Sequence, residues 1–167
     1  VQINSRMHSN VILGVTNPSG TFINKPLGLS DQSSLFILSP AGINIDGATF
    51  SNVNSLVLTN ADQINEGSSF YNIFDVSTSI SLPNINLSEN TFSYNLNSRI
   101  LNGIGSSSVI KVSDVLAIDS DIIIAAIQGN IELDNASLIA GNNIELSSEA
   151  DTGSGIDISN STNMVGK

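Results

Sequence analysis

Residues 35–61 read LFILSPAGINIDGATFSNVNSLVLTNA, and this stretch decides the fold. It holds three short apolar runs, Leu35 to Leu38, Ile43 to Phe50 and Leu56 to Leu58, each cut from the next by Pro, Gly, Asn or Asp. Ile43 and Ile45, and after a bend at Asp46-Gly47 also Ala48 and Phe50, alternate with Asn44, Thr49 and Ser51. Alternation over so few residues marks strands. Leu35-Phe36-Ile37-Leu38 returns as Leu56-Val57-Leu58 twenty-one residues later, with a middle strand between. That is the length of one three-sided coil of a parallel β-helix. The coil is the expected unit of the whole chain, with Phe36 and Phe50 in its core.

The same grammar extends outward in both directions. Upstream, Val11 to Val15 is an apolar run ended by Thr16-Asn17-Pro18-Ser19-Gly20, a dense turn signal, and Thr21 to Asn24 is a strand closed by Lys25-Pro26-Leu27-Gly28. Downstream, Val109 to Val112, Val115 to Ile118, Ile122 to Ile127, Ile131 to Leu133, Leu138 to Ala140 and Ile144 to Leu146 read as strands separated by Asp, Gly, Asn and Ser. Two of them head near-copies, Gly129-Asn130-Ile131-Glu132-Leu133 and Gly141-Asn142-Asn143-Ile144-Glu145-Leu146, which are expected to stack Glu132 and Glu145 as like charges. Ile80 to Asn102 alternates again and reads as a hairpin standing off the coil or as two irregular coils. Asp151 to Lys167 reads as a fading last coil or a frayed tail. No stretch keeps apolar residues at helical spacing for three turns, which excludes a doubly wound sheet with its crossover helices. An antiparallel sandwich would rarely repeat GN(N)IEL at such short intervals. The expected fold is therefore all-β, a parallel β-helix with three short strands per coil, in a single domain over residues 1–167.

Composition bounds the function. With 40% hydrophobic and only 12% charged residues the chain can bury a continuous core and is not a disordered acidic tail. Its formal charge of −10, with Arg6, Lys25, Arg99, Lys111 and Lys167 scattered, argues against nucleic acid or an anionic membrane as partner. No run of eighteen apolar residues occurs, so no integral membrane segment is expected. Absence of Cys agrees with an extracellular or cell-surface life without proving it. The start, Val1-Gln2-Ile3-Asn4, opens in mid-pattern, and the chain is expected to be a piece of a longer protein without its signal peptide.

Chemistry-bearing residues are few. His8, in a polar stretch, is expected to be solvated. Asp119 and Asp121 would share a strand face, but Asp114 to Asp121 reads equally well as a polar corner. Asp151 to Asp157, DTGSGID, is one degenerate copy of a Gly-rich Ca²⁺ repeat, and no phosphate loop occurs, so no metal or cofactor is expected. Asn86-Leu87-Ser88, Asn135-Ala136-Ser137 and Asn160-Ser161-Thr162 fit the glycosylation pattern at the rate chance gives in an Asn- and Ser-rich chain.

Leu13-Gly14-Val15-Thr16 running into Asn17-Pro18-Ser19, and Leu35-Phe36-Ile37-Leu38-Ser39-Pro40-Ala41-Gly42-Ile43, resemble the haemagglutination-activity domain of two-partner secretion exoproteins of the filamentous-haemagglutinin type, in a form common in cyanobacteria. Gly129 to Leu138 and Ala140 to Leu146 are similar to the coils that close such domains. The resemblance covers about Val11 to Ser148. It departs at Ser39-Pro40-Ala41-Gly42, where the family has Asn-Pro-Asn-Gly, and the family's opening cap is missing. It implies a right-handed β-helix exported through the periplasm by an outer-membrane β-barrel transporter, whose periplasmic domains recognise this part of the exoprotein while it is still extended. The expected product is a secreted or cell-surface adhesin, with any cell-surface or carbohydrate ligand left to the region downstream. On this resemblance the candidate recognition residues are Asn17, Pro18, Ser39, Pro40, Ala41, Gly42 and Ile43; their plain reading is that Pro and Gly shape a coil corner. Two alternatives share the fold: a polysaccharide lyase or hydrolase, favoured if Asp114, Asp119 and Asp121 converge in one groove beside a basic residue, and a structural stalk.

Overall fold

The computed structural model describes residues 1–66, 68–75, 92–95, 108–127, 129–149, 155–160 and 162–166. None of these is helical, and the strands wind into a parallel β-solenoid of about 6 turns. No helix among the described residues is long and apolar enough to cross a membrane.

Each coil has three sides. The first face stacks β2 (Asn10–Gly14) on the second half of β4 (Leu27–Leu38), then the second half of β6 (Phe50–Thr59), β11 (Ile122–Ile127) and β13 (Ile144–Glu149), so that Val11, Leu35, Leu56, Ile122 and Ile144 form one inward column. The second face stacks β3 (Thr21–Ile23), β5 (Ile43–Asp46), the first halves of β10 (Ser108–Ile118) and β12 (Gly129–Ala140), and β14 (Ile156–Ser159). On the third face β1 (Gln2–Ile3) lies against the first half of β4, which lies against that of β6. Farther along, the second half of β10 lies on that of β12, and β12 on β15 (Asn163–Val165). The four long strands therefore run round a corner and serve two faces each. The columns of Ile, Leu and Val fill the interior as one core, each fully buried side chain contributing roughly 1.5–3 kcal/mol.

Corners need backbone that a β-branched residue resists. Between the second and third faces, Gly47, Asp114, Asn135 and Asn160 turn successive coils, with φ of 63°, 65°, 51° and 54°. Only Gly, Asn and Asp take this left-handed conformation at low cost, which is why the turns of the chain are built from them.

The twenty-one-residue step is the true coil: Leu35 pairs with Leu56, Phe36 with Val57 and Ile37 with Leu58. The near-copies headed by Gly129 and Gly141 are a different matter, because they do not stack. Ile131 lies on the second face beneath Ile110, while Ile144 lies on the first beneath Ile122. A spacing near half a coil carries the second copy to another side, so Glu132 and Glu145 are not neighbours. Glu132 sits in a ladder between Lys111 and Asp157, and Glu145 beside Ile123.

One excursion interrupts the rod. Ile43 lies against Ile110 and Leu56 against Ile122 although the intervening chain is about three coils long. Closing so long a loop costs only about 1 kcal/mol more than closing one coil, since the entropy grows with the logarithm of length. The described part of the excursion is an antiparallel sheet with β7 (Gln63–Glu66) between β8 (Ser69–Asn72) and β9 (Phe92–Asn95). Of Ile80 to Asn102 only Phe92–Asn95 is described, as a strand that lies off the coil and pairs with β7; the rest of the stretch expected as a hairpin or irregular coils lies outside the described residues. The sheet covers the outer side of the first face. Phe36, Leu38 and Val57, which alternate with the inward residues and so point away from the coil, are completely buried with Ile64 of β7. Phe36 is core, but of this second cluster; Phe50 is partly buried against the main one.

The last coil is formed by β14 and β15 on β12, so residues 156–165 continue the solenoid where they are described. Asn86 to Ser88, Asp151 to Ser154 and Ser161 lie outside the described residues.

Candidate recognition turns at one corner

The corner between the first and second faces carries the residues singled out by the sequence. Counting back from the pairing of Thr21 with Ile43, Asn17 stands over Ser39, Pro18 over Pro40, Ser19 over Ala41 and Gly20 over Gly42. The two Pro-Gly turns are one feature, repeated in consecutive coils. Each closes in the same way: Gly20 N donates to Asn17 O at 3.0 Å, and Gly42 N to Ser39 O at 2.9 Å. Pro supplies the fixed φ that opens such a turn, and the glycines end it at φ of 76° and 111°. Asn17 Oδ1 also accepts from Ser19 N at 2.9 Å, an Asx turn, and Ser39 Oγ replaces it by donating to Gly42 O at 2.8 Å. Hence Ser39 keeps the turn that Asn17 makes in the coil above. Thr21 N donates to Gly42 O at 3.1 Å and ties one turn to the next.

Exposure splits the seven residues. Asn17 and Pro18 are exposed and Ala41 is half-buried, whereas Ser39, Pro40, Gly42 and Ile43 are buried between the coils above and below. A Cβ on Gly20 would lie 2.6 Å from Gly42 O, and one on Gly42 2.7 Å from Val109 O, so both glycines are also demanded by close stacking. Thr21, Gly42, Asn44, Val109, Lys111 and Glu132 line a shallow, open groove beside the turns on the second face. Lys111 Nζ lies 3.6 Å from Asp134 Oδ2. Asp134 is held below the usual carboxylate range, first by the hydrogen bond from Asn160 and then by Lys111.

Two further residues complete this corner. Asn60 follows Thr59 as Ser39 follows Leu38, and Leu38 pairs with Thr59, so Asn60 continues the column below Ser39. It is wholly buried; its Nδ2 donates to Ser108 Oγ, and its Oδ1 accepts from Ile127 N at 2.5 Å. The sequence did contain the signal, since the coil step from Ser39 lands on Asn60.

The carboxylates lie elsewhere. Asp114 turns the opposite corner, where its Oδ1 accepts from Val115 N at 2.9 Å. Asp119 lies five residues farther on, across Val115 to Ile118, about 16 Å of extended chain. Asp119 and Asp121 do not share a strand face but flank Ser120 in the turn between β10 and β11. Asp121 ties three coils together. Burial pushes its carboxyl up, but hydrogen bonds from Ser120, Ser55, Asn142 and Asn143 outweigh this and hold it below the ordinary value. Asp114 thus does not converge with Asp119 and Asp121, so the grouping that would favour the lyase or hydrolase reading is not formed by these three. His8 is exposed. Among the described residues no group of three or more His, Cys, Asp or Glu is placed to hold a metal ion.

Comparison of the chain with family models, with curated proteins and with solved structures finds no match in any of the three.

Proposed function

We propose that this chain is the secretion module of an adhesin-like exoprotein. Its Asn17-Pro18 and Ser39 to Ile43 turns are read in the extended chain by the periplasmic domains of an outer-membrane β-barrel transporter, and its β-helix then folds outside the cell as a template for the rod that follows. The observation that carries this reading is the burial of Ser39, Pro40, Gly42 and Ile43 between coils. A partner can reach those side chains only before the coils close, so recognition and folding compete for the same residues. Folding then hides the Ser39 to Ile43 part of the signal while Asn17 and Pro18 stay exposed, so the chain can no longer be bound through both turns. A parallel solenoid suits this role, since each coil docks on the one before it and folding can proceed in the order in which the chain emerges.

The test is a titration of the chain, diluted from urea, against the periplasmic domains of the transporter encoded beside it, with the pre-folded chain and the Asn17→Ala and Gly42→Ala variants in parallel. Saturable binding by the unfolded chain alone, weakened in both variants, is the expected result. Equal binding of the folded chain, or none by either form, overturns the proposal.

A further inference from the structure

Of the first three crossings at this corner, the third does not close directly. Ser39 to Gly42 carries the chain from the first face to the second in four residues, and Asn17 to Gly20 ends the six-residue crossing from β2 to β3, but after Asn60 the next strand on the second face among the described residues is β10, which begins at Ser108. The lower neighbour of Gly42 is therefore Val109. On the same side β5 pairs with β10, residue by residue from Ile43 with Ile110 to Asp46 with Ser113. Its other neighbour is β3, from the coil above. Covering the lower side of the turn thus falls to Val109 and β10, on the far side of the excursion.

Asn60 fastens this junction. Its amide spans the neck of the excursion to Ser108 and reaches on to Ile127 in the next coil. Gly129 packs so closely against Asn60 Nδ2 and Ser108 O that a Cβ there would overlap both. Every polar atom of the Asn60 side chain is used in joining segments that the excursion separates.

We propose that Asn60 is a latch on the recognition turn: Ser39 to Ile43 closes only when Ser108–Ser113 has been delivered behind the excursion and fastened by Asn60. On the function proposed above, residues 61–107 then act as a delay. The signal stays open while they cross the membrane, and the transporter is released once β10 arrives. Coils above the corner, β2 on β4 on β6, contain no excursion and close without waiting.

Two exchange experiments on the full chain alone test the latch. In refolding from urea with pulsed hydrogen exchange, the amides of Ser34 to Leu38 gain protection first, and those of Ile43 to Asp46 gain theirs together with Ile110 to Ser113. Protection of Ile43 to Asp46 in step with Ser34 to Leu38 overturns the proposal. In the folded Asn60→Ala chain, exchange at Gly42 to Asp46 and Ser108 to Ser113 rises at least tenfold over that at Ser34 to Leu38. Ser108→Ala, which keeps the bond to Ile127, gives a smaller rise at the same amides. An unchanged pattern, or a rise uniform along the rod, overturns it. Neither experiment contains a transporter, so failure of the titration against its periplasmic domains would remove the function while leaving the latch.

Discussion

Gly42→Ala perturbs the buried turn of this corner directly. The backbone there holds φ at 111°, beyond the left-handed well that an L-residue can visit for about 1–2 kcal/mol, so strain of about 2–3 kcal/mol is the better figure. The new methyl carbon would also lie 2.7 Å from Val109 O, and Val109 has little freedom to retreat because Ile110, its neighbour, is paired with Ile43 on one side and Ile131 on the other. Together these predict a loss of about 3 kcal/mol in urea unfolding followed by circular dichroism. Gly155→Ala is the control: nothing lies within 4 Å of its Cβ position and its φ is not positive, so the substitution is neutral or stabilises by up to about 1 kcal/mol. A loss under about 1 kcal/mol at Gly42, or equal losses at the two glycines, would refute the stacking account of the turn. The strain exists only in the folded chain, so any weakening of transporter binding by Gly42→Ala before folding has a separate cause.

Phe36→Ala removes a completely buried ring from beneath the antiparallel sheet; it costs about 3–5 kcal/mol in unfolding, and in hydrogen exchange β7 opens before the coils do. Asn135→Ala forces a less tolerant residue to a φ of 51° and costs about 1–2 kcal/mol, whereas Asn135→Gly removes that steric conflict and falls well short of this loss; a thermal melt of both separates strain from lost side-chain contacts. Asp121→Asn flattens the acid limb of the stability curve. The carboxyl is held below its unfolded value when folded, so its contribution is complete above the ordinary carboxylate range and disappears as pH falls through the lowered value. Urea midpoints at several pH values below about 5 check this, and parallel curves for the two proteins would contradict it.

The solenoid was legible because its two periods are both short enough to see: alternation within a strand, and the twenty-one-residue return from Leu35 to Leu56. The GN(N)IEL copies are alike in sequence yet do not stack, because stacking obeys the coil length and their spacing is near half of it. Leu35 to Leu38 signalled a second buried side. Four apolar residues in a row cannot all face one interior, so the run already required a cover on its outer side, which the excursion supplies. At the turns, Pro and Gly were readable as corner formers. The burial of Gly42 was not, because it depends on Val109, more than sixty residues away in sequence. The separation of Asp114 from Asp121 was likewise invisible until the corners were assigned.

Because the chain leaves the rod at Asn60 and rejoins it at Ser108, and those two side chains meet, the coils on either side keep register whatever lies between. The neck is a ready-made splice port. A folded cargo whose termini lie a few ångströms apart could replace residues 61–107 and project sideways from the shaft, provided Phe36, Leu38 and Val57 were changed to polar residues to suit their new contact with water. Solenoid rods could diversify by this route, exchanging what they display while the shaft is inherited unaltered.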